Sequence, residues 1–131
     1  MAERLLVAIV DDDKSFRSAT RDLLKAAGYS TATFEDAKTF LESGNSATTA
    51  CLVADMRMPG MSGLDLYQTL LASGRELPTV IITAHPEEMT QLRAREIGVS
   101  CYLSKPFAPE ELIECVQLAL AKSQHGDIPK S

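Results

Sequence analysis

The chain has no glycine-rich phosphate loop. Neither GxxxxGK[ST] nor GxGxxG occurs anywhere in its 131 residues, so nucleotide binding in a backbone cradle has no support. It has no excess of positive charge either. The 13 basic and 18 acidic side chains leave a formal net charge of −5, which gives no electrostatic reason to bind nucleic acid directly. No apolar run reaches the length of a membrane span, and the Met-Ala-Glu-Arg start lacks the layout of a signal peptide. Together these predict a cytoplasmic protein with no membrane partner. Cysteine is scarce and odd in number. Cys51, Cys101 and Cys115 show no CxxC spacing, which predicts buried reduced thiols rather than a disulfide or a zinc site. His85 and His125 add no ligand pattern to them.

What is present is a globular composition, 45% hydrophobic and 24% charged, enough for one domain with a real core. Short apolar runs alternate with amphipathic stretches. LLVAIV (5–10), ACLVAD (50–55) and TVIIT (79–83) are continuous runs, expected of strands covered on both faces, with STATF (30–34) and SCYLS (100–104) as shorter candidates. Between them, Phe16, Ala19, Leu23, Leu24 and Ala27 recur at helical spacing until Gly28, placed as a terminating glycine. Three further helical patterns lie around Phe40, Leu64–Leu71 and Met89–Ile97, and a fifth begins at Pro109 with Glu110 and Glu111 in its first turn. The HGDIPKS end reads as a tail.

Five β–α units in strict alternation predict an open parallel sheet with helices on both faces, and such sheets bind ligands beyond the carboxyl ends of their strands. Asp11, Asp12 and Asp13 follow the first run, Asp55 ends the third, Thr83 the fourth, and Lys105 follows the fifth. Clustered carboxylates suit a hard divalent cation, with Mg²⁺ the natural choice because it retains waters for a phosphate ligand. With no phosphate loop, the remaining chemistry is a carboxylate that itself accepts a phosphoryl group. Asp55 stands apart from the triplet and is the expected nucleophile, with a metal and an ammonium to neutralise the transferring oxygens. Asp13 suits the start of the first helix.

These segments, VDDD (10–13), LVADMRMPGMSG (52–63), IIT (81–83) and KPF (105–107), resemble a response-regulator receiver domain in both order and context. The resemblance covers roughly residues 5 to 122, and RMPGMSG with the TAH and KPF segments is most similar to the FixJ-like group. It implies a flavodoxin-like (βα)5 fold, a receiver domain over 1–122, and a tail or linker over 123–131. It implies that Asp55 takes phosphate from a sensor histidine kinase, and that Asp11, Asp12, Asp55 and the Arg57 backbone carbonyl hold Mg²⁺, with Mn²⁺ as a substitute. Lys105 and Thr83 would contact the phosphoryl group, and Thr83 with Tyr102 would form the switch, Tyr102 facing water before phosphorylation. The Lys105–Pro106 bond would be cis. The fourth helix, fifth strand and fifth helix would form the face for an output domain, a partner protein or a phosphorylation-dependent homodimer, with transcription regulated through an output domain.

One departure stands out. The FixJ-like group commonly carries Gly-His-Gly-Asp after the threonine, where this chain has Ala84, His85, Pro86 and Glu87. Arg57 and His85, each two residues past a site residue, are candidates for tuning the lifetime of the aspartyl phosphate. Two rivals stand beside this reading. A Mg²⁺-dependent aspartyl-phosphate phosphohydrolase usually has a second acid two residues after its nucleophile, where this chain has Arg57. A purely structural docking module would have an acidic pocket that no longer accepts phosphate, and a stand-alone receiver acting by protein–protein docking is the alternative to an attached output domain.

Overall fold

The computed structural model describes residues 4–126, with side chains in the last helix described up to residue 121. Five strands and five α-helices alternate: β1 (Leu6–Val10), α1 (Lys14–Ala26), β2 (Ser30–Phe34), α2 (Ala37–Ser43), β3 (Cys51–Asp55), α3 (Gly63–Ala72), β4 (Thr79–Thr83), α4 (Glu88–Ile97), β5 (Cys101–Ser104) and α5 (Pro109–Gly126). A 3₁₀ turn at Asn45–Ala47 interrupts the loop before β3. All pairings are parallel, in the order β2-β1-β3-β4-β5. This is the predicted flavodoxin-like architecture. Helix α5 runs through Gly126, past the boundary expected at residue 122, and residues 127–131 lie outside the described residues.

The continuous apolar runs are explained by two-sided burial. Alternate strand residues feed two separate cores. Ala8, Val10, Leu52, Ala54 and Ile81 face one packed by Phe40 of α2, Leu66 and Leu70 of α3 and Ala94 of α4. Val7, Ile9, Val53, Val80 and Ile82 face the other, packed by Leu24 of α1 and by Leu112, Val116 and Ala119 of α5. Each such large aliphatic or aromatic side chain contributes about 1.5–3 kcal/mol when fully buried. β2 is added on one side of β1 and β3 on the other, so the order of winding reverses between β1 and β3 and opens a crevice at their carboxyl ends.

Local signals set the helix ends. Asp13 accepts hydrogen bonds from the backbone N–H of Ser15 (2.9 Å) and Phe16 (3.2 Å), capping α1. Ser62 and Asp65 form a reciprocal capping box at the start of α3. Gly28 follows the α1 cap at φ +105°, a conformation that favours glycine.

The cysteine expectation is corrected. Cys101 of β5 and Cys115 of α5 are joined by a disulfide, their Cα atoms 5.7 Å apart, and only Cys51 is a free, buried thiol. A separation of 14 residues carries no sequence motif; the pair meets because α5 packs back on the edge strand.

Candidate functional site

The crevice gathers the strand-end residues that the sequence singled out. Asp11 leaves β1 buried, at 1% exposure, and Asp55 ends β3 buried. Asp12 is exposed beside them, and the three offer carboxylate oxygens within 4.8 Å of one another. The Lys105 ammonium enters from the β5–α5 loop, 3.3 Å from Asp55 Oδ1 and 3.6 Å from Asp11 Oδ2. The Lys105–Pro106 bond is cis, and the Lys105 backbone N–H donates to the Thr83 carbonyl at 2.7 Å. Thr83 is buried, and its hydroxyl accepts from the His85 backbone N–H at 3.0 Å.

Crowding acids in a buried crevice raises their affinity for protons. Burial, with Asp55 and Asp12 nearby, lifts the Asp11 carboxyl to about 6 against the Asp13 N–H and Lys105, which pull it down. Asp55 is raised as well, chiefly by burial, while Lys105 and the Arg57 backbone N–H oppose the rise. One Asp11 oxygen accepts from the Asp13 N–H at 2.9 Å, but the other, Oδ2, is buried without a hydrogen-bond partner. An orphaned carboxylate oxygen in an all-oxygen donor set fits a hard divalent cation.

Three contributors escaped the sequence reading. Arg17 reaches back from α1 and donates from Nη1 to the Asp11 carbonyl at 2.7 Å, tying the acidic loop to the helix. Phe16 lies under Lys105, whose Nζ sits 4.0 Å from the ring centroid, and Phe107 meets the same ring edge-on at 6.0 Å. The aromatic floor holds the ammonium over the acids. Gly63 allows α3 to start directly against β3: a Cβ there would stand 2.5 Å from the Asp55 carbonyl oxygen. Only Gly63 had a visible signal, as the glycine closing the MRMPGMSG loop. Phe16 and Arg17 look like ordinary helix residues until the fold brings Lys105 and the β1 end to them.

Arg57 and His85 are exposed, and both line a cleft of about 340 Å³ with Met56, which follows Asp55 in the chain, and with Glu87 and Tyr102. The expected outward-facing Tyr102 is not observed. Its hydroxyl is buried with no hydrogen-bond partner. Burial and the Glu87 carboxylate raise its pKa, with Thr83 and Arg57 near enough to oppose the rise. The ring packs against the α2–α3–α4 core, where apolar contact outweighs the hydroxyl's preference for water.

A parallel sheet in the order β2-β1-β3-β4-β5 with an acidic crevice and a facing lysine defines a class, and comparison with known proteins names it. Residues 7–117 match the response regulator receiver domain. The chain is 33% identical over 123 residues to the transcriptional regulatory protein FixJ of Azorhizobium caulinodans, covering 94% of this chain and 58% of that protein. It is 37% identical over 122 residues to nodulation protein W of Bradyrhizobium diazoefficiens, covering 92% and 53%. The solved response regulator StyR superposes with a TM-score of 0.84 at 39% identity, over 95% of this chain and 64% of that one. The chain belongs to the response regulator receiver domain family, the signalling domains of two-component systems, and its relatives include transcriptional regulators. It spans a little over half the length of those two relatives. Among the described residues no helix is long and apolar enough to cross a membrane.

Proposed function

We propose that this chain is the phosphoacceptor module of a response regulator, with Asp55 receiving the phosphoryl group. The observation that carries the reading is the Lys105 ammonium held between Asp55 and Asp11, whose second oxygen has no other partner. An Asp55 carboxylate oxygen attacks the phosphorus of a phosphohistidine on a sensor histidine kinase. The new O–P bond forms as the P–N bond breaks, and the imidazole leaves with the electron pair and takes up a proton. Mg²⁺, or Mn²⁺ in its place, held by Asp11, Asp12, Asp55 and the Arg57 carbonyl, would offset charge on the transferring oxygens. Lys105 stays against one phosphoryl oxygen, and the Thr83 hydroxyl donates to another.

The acyl phosphate adds about 1.5–2 negative charges. Drawing Thr83 toward them changes what the buried Tyr102 hydroxyl can reach, which biases the packing of α4, β5 and α5. That face would engage an output domain acting on transcription, a docking partner or a second copy of the chain, in the cytoplasm. Nucleic acid binding is left to the output domain. Incubation with acetyl phosphate and Mg²⁺ followed by intact mass should show one added phosphate, absent in Asp55→Asn and after chelation. An adduct that persists in Asp55→Asn would move the acceptor elsewhere. Arg57 and His85 tune the lifetime of the phosphate from the adjoining cleft; unchanged dephosphorylation in Arg57→Ala and His85→Ala would remove them from that role.

A further inference from the structure

The three cysteines occupy three different environments. Cys51 lies in β3 at 0% exposure, and burial pushes its thiol up to about 12, so it takes no part in thiol chemistry at neutral pH. Cys101 is half-buried in the first position of β5, and Cys115 faces it from α5. β5 is an edge strand, so Cys101 can be approached from solvent without opening the sheet. Side chains alternate along it: Cys101 and Leu103 pack on the α1–α5 core, while Tyr102 packs on the other. The bond between Cys101 and Cys115 therefore fastens α5 to the back of the strand whose front carries Tyr102.

We propose that Cys101 and Cys115 are a reversible dithiol–disulfide couple, a modification site that pins α5 to β5 when oxidised and releases it when reduced. The oxidant is a low-molecular-weight disulfide. The Cys101 thiolate attacks one of its sulfurs and expels a thiolate. Cys115 then attacks the Cys101 sulfur and expels the second. Two protein S–H bonds become one S–S bond, the oxidant's S–S bond becomes two thiols, and the two protons end on those thiols. Because α5 belongs to the responding face in the reading above, oxidation adds a second input to that face; this consequence rests on that reading, while the couple itself does not.

The test uses the whole chain, reduced and then equilibrated with mixtures of glutathione and glutathione disulfide. After blocking with N-ethylmaleimide in denaturant, it is weighed intact. As the mixture becomes oxidising, two thiols should disappear together while Cys51 alone remains reactive. Cys101→Ser and Cys115→Ser should each abolish the paired loss. Three reactive thiols in every mixture, or a lasting single glutathione adduct, would overturn the proposal. Amide exchange over 109–121 should slow by about tenfold or more in the oxidised form, and equal exchange in both forms would refute the pinning. Asp55→Asn should titrate like the parent chain, so loss of phosphate acceptance and loss of the couple are read separately.

Discussion

The two ends of the sheet are built to opposite standards. At the amino end of the strands most buried polar groups are matched, the Thr31 hydroxyl near the start of β2 being the exception. Arg75 donates to the carbonyls of Ser46 and Thr49, each at 2.7 Å. The buried Thr49 and Thr79 hydroxyls donate to the carbonyls of Asn45 and Leu77 at 2.7 and 2.8 Å. At the carboxyl end, Asp11 Oδ2 and the Tyr102 hydroxyl are buried without hydrogen-bond partners, and two carboxyls are raised by burial. Unmatched buried groups destabilise. Two of the three among the described residues lie where a cation, a phosphoryl group or a moving threonine could satisfy them, and only this end adds clustered carboxyls to them, which makes it a site and the other a scaffold.

Substitutions can break that contrast. Gly63→Ala, which drives a Cβ into the Asp55 backbone, should lower stability by about 2–3 kcal/mol and slow phosphorylation as well; an unchanged urea midpoint would mean the close approach is relieved without strain. Arg75→Ala at the scaffold end should cost about 2 kcal/mol by orphaning two carbonyls. Its phosphorylation rate should match the parent's, and a changed rate would join the two ends functionally.

Asp11→Asn should do the reverse, raising stability at pH 7 by about 1–2 kcal/mol while weakening Mg²⁺ binding. The Asp11 carboxyl titrates near 6 in the fold against 3.8 ordinarily, so between those values the native state binds more protons than the unfolded one. This group's contribution to stability therefore falls as pH rises from about 4 to about 6 and is level above that. Urea midpoints across this range should slope downward in the parent and lose that component in Asp11→Asn. Mg²⁺ affinity should weaken below pH 6 as the carboxyl is protonated. Least, Phe16→Leu should slow phosphorylation by several-fold, about 0.5–1 kcal/mol of lost cation–π support for Lys105. A rate equal to the parent's would make the aromatic floor passive.

The sequence announced what depends on local pattern. Strands with both faces buried are continuous apolar runs, and an acid closing such a run sits at the carboxyl end by construction. Asp11, Asp55, Thr83 and Lys105 were thus legible as neighbours. Arg17 and Phe16 were not, because their partners are a backbone carbonyl and a lysine from the far end of the chain. The Cys101–Cys115 bond leaves no trace in cysteine spacing, because it depends on the packing of α5 on an edge strand. The orientation of Tyr102 is illegible for an energetic reason: a hydroxyl's preference for water points outward, whereas the ring's contacts with the core decide it.

The alternation along β5 has a consequence for how the chain tolerates length changes. Tyr102 and Cys101 address opposite layers only because they are consecutive in an extended strand, so inserting or deleting one residue there would transpose every side chain to the wrong layer. Extra residues between the exposed Ala47 and Thr48 are far better tolerated, since they lengthen a surface connection and leave the Arg75 contacts to Ser46 and Thr49 on either side. Grafting a tag or reporter should succeed at the latter and fail at the former.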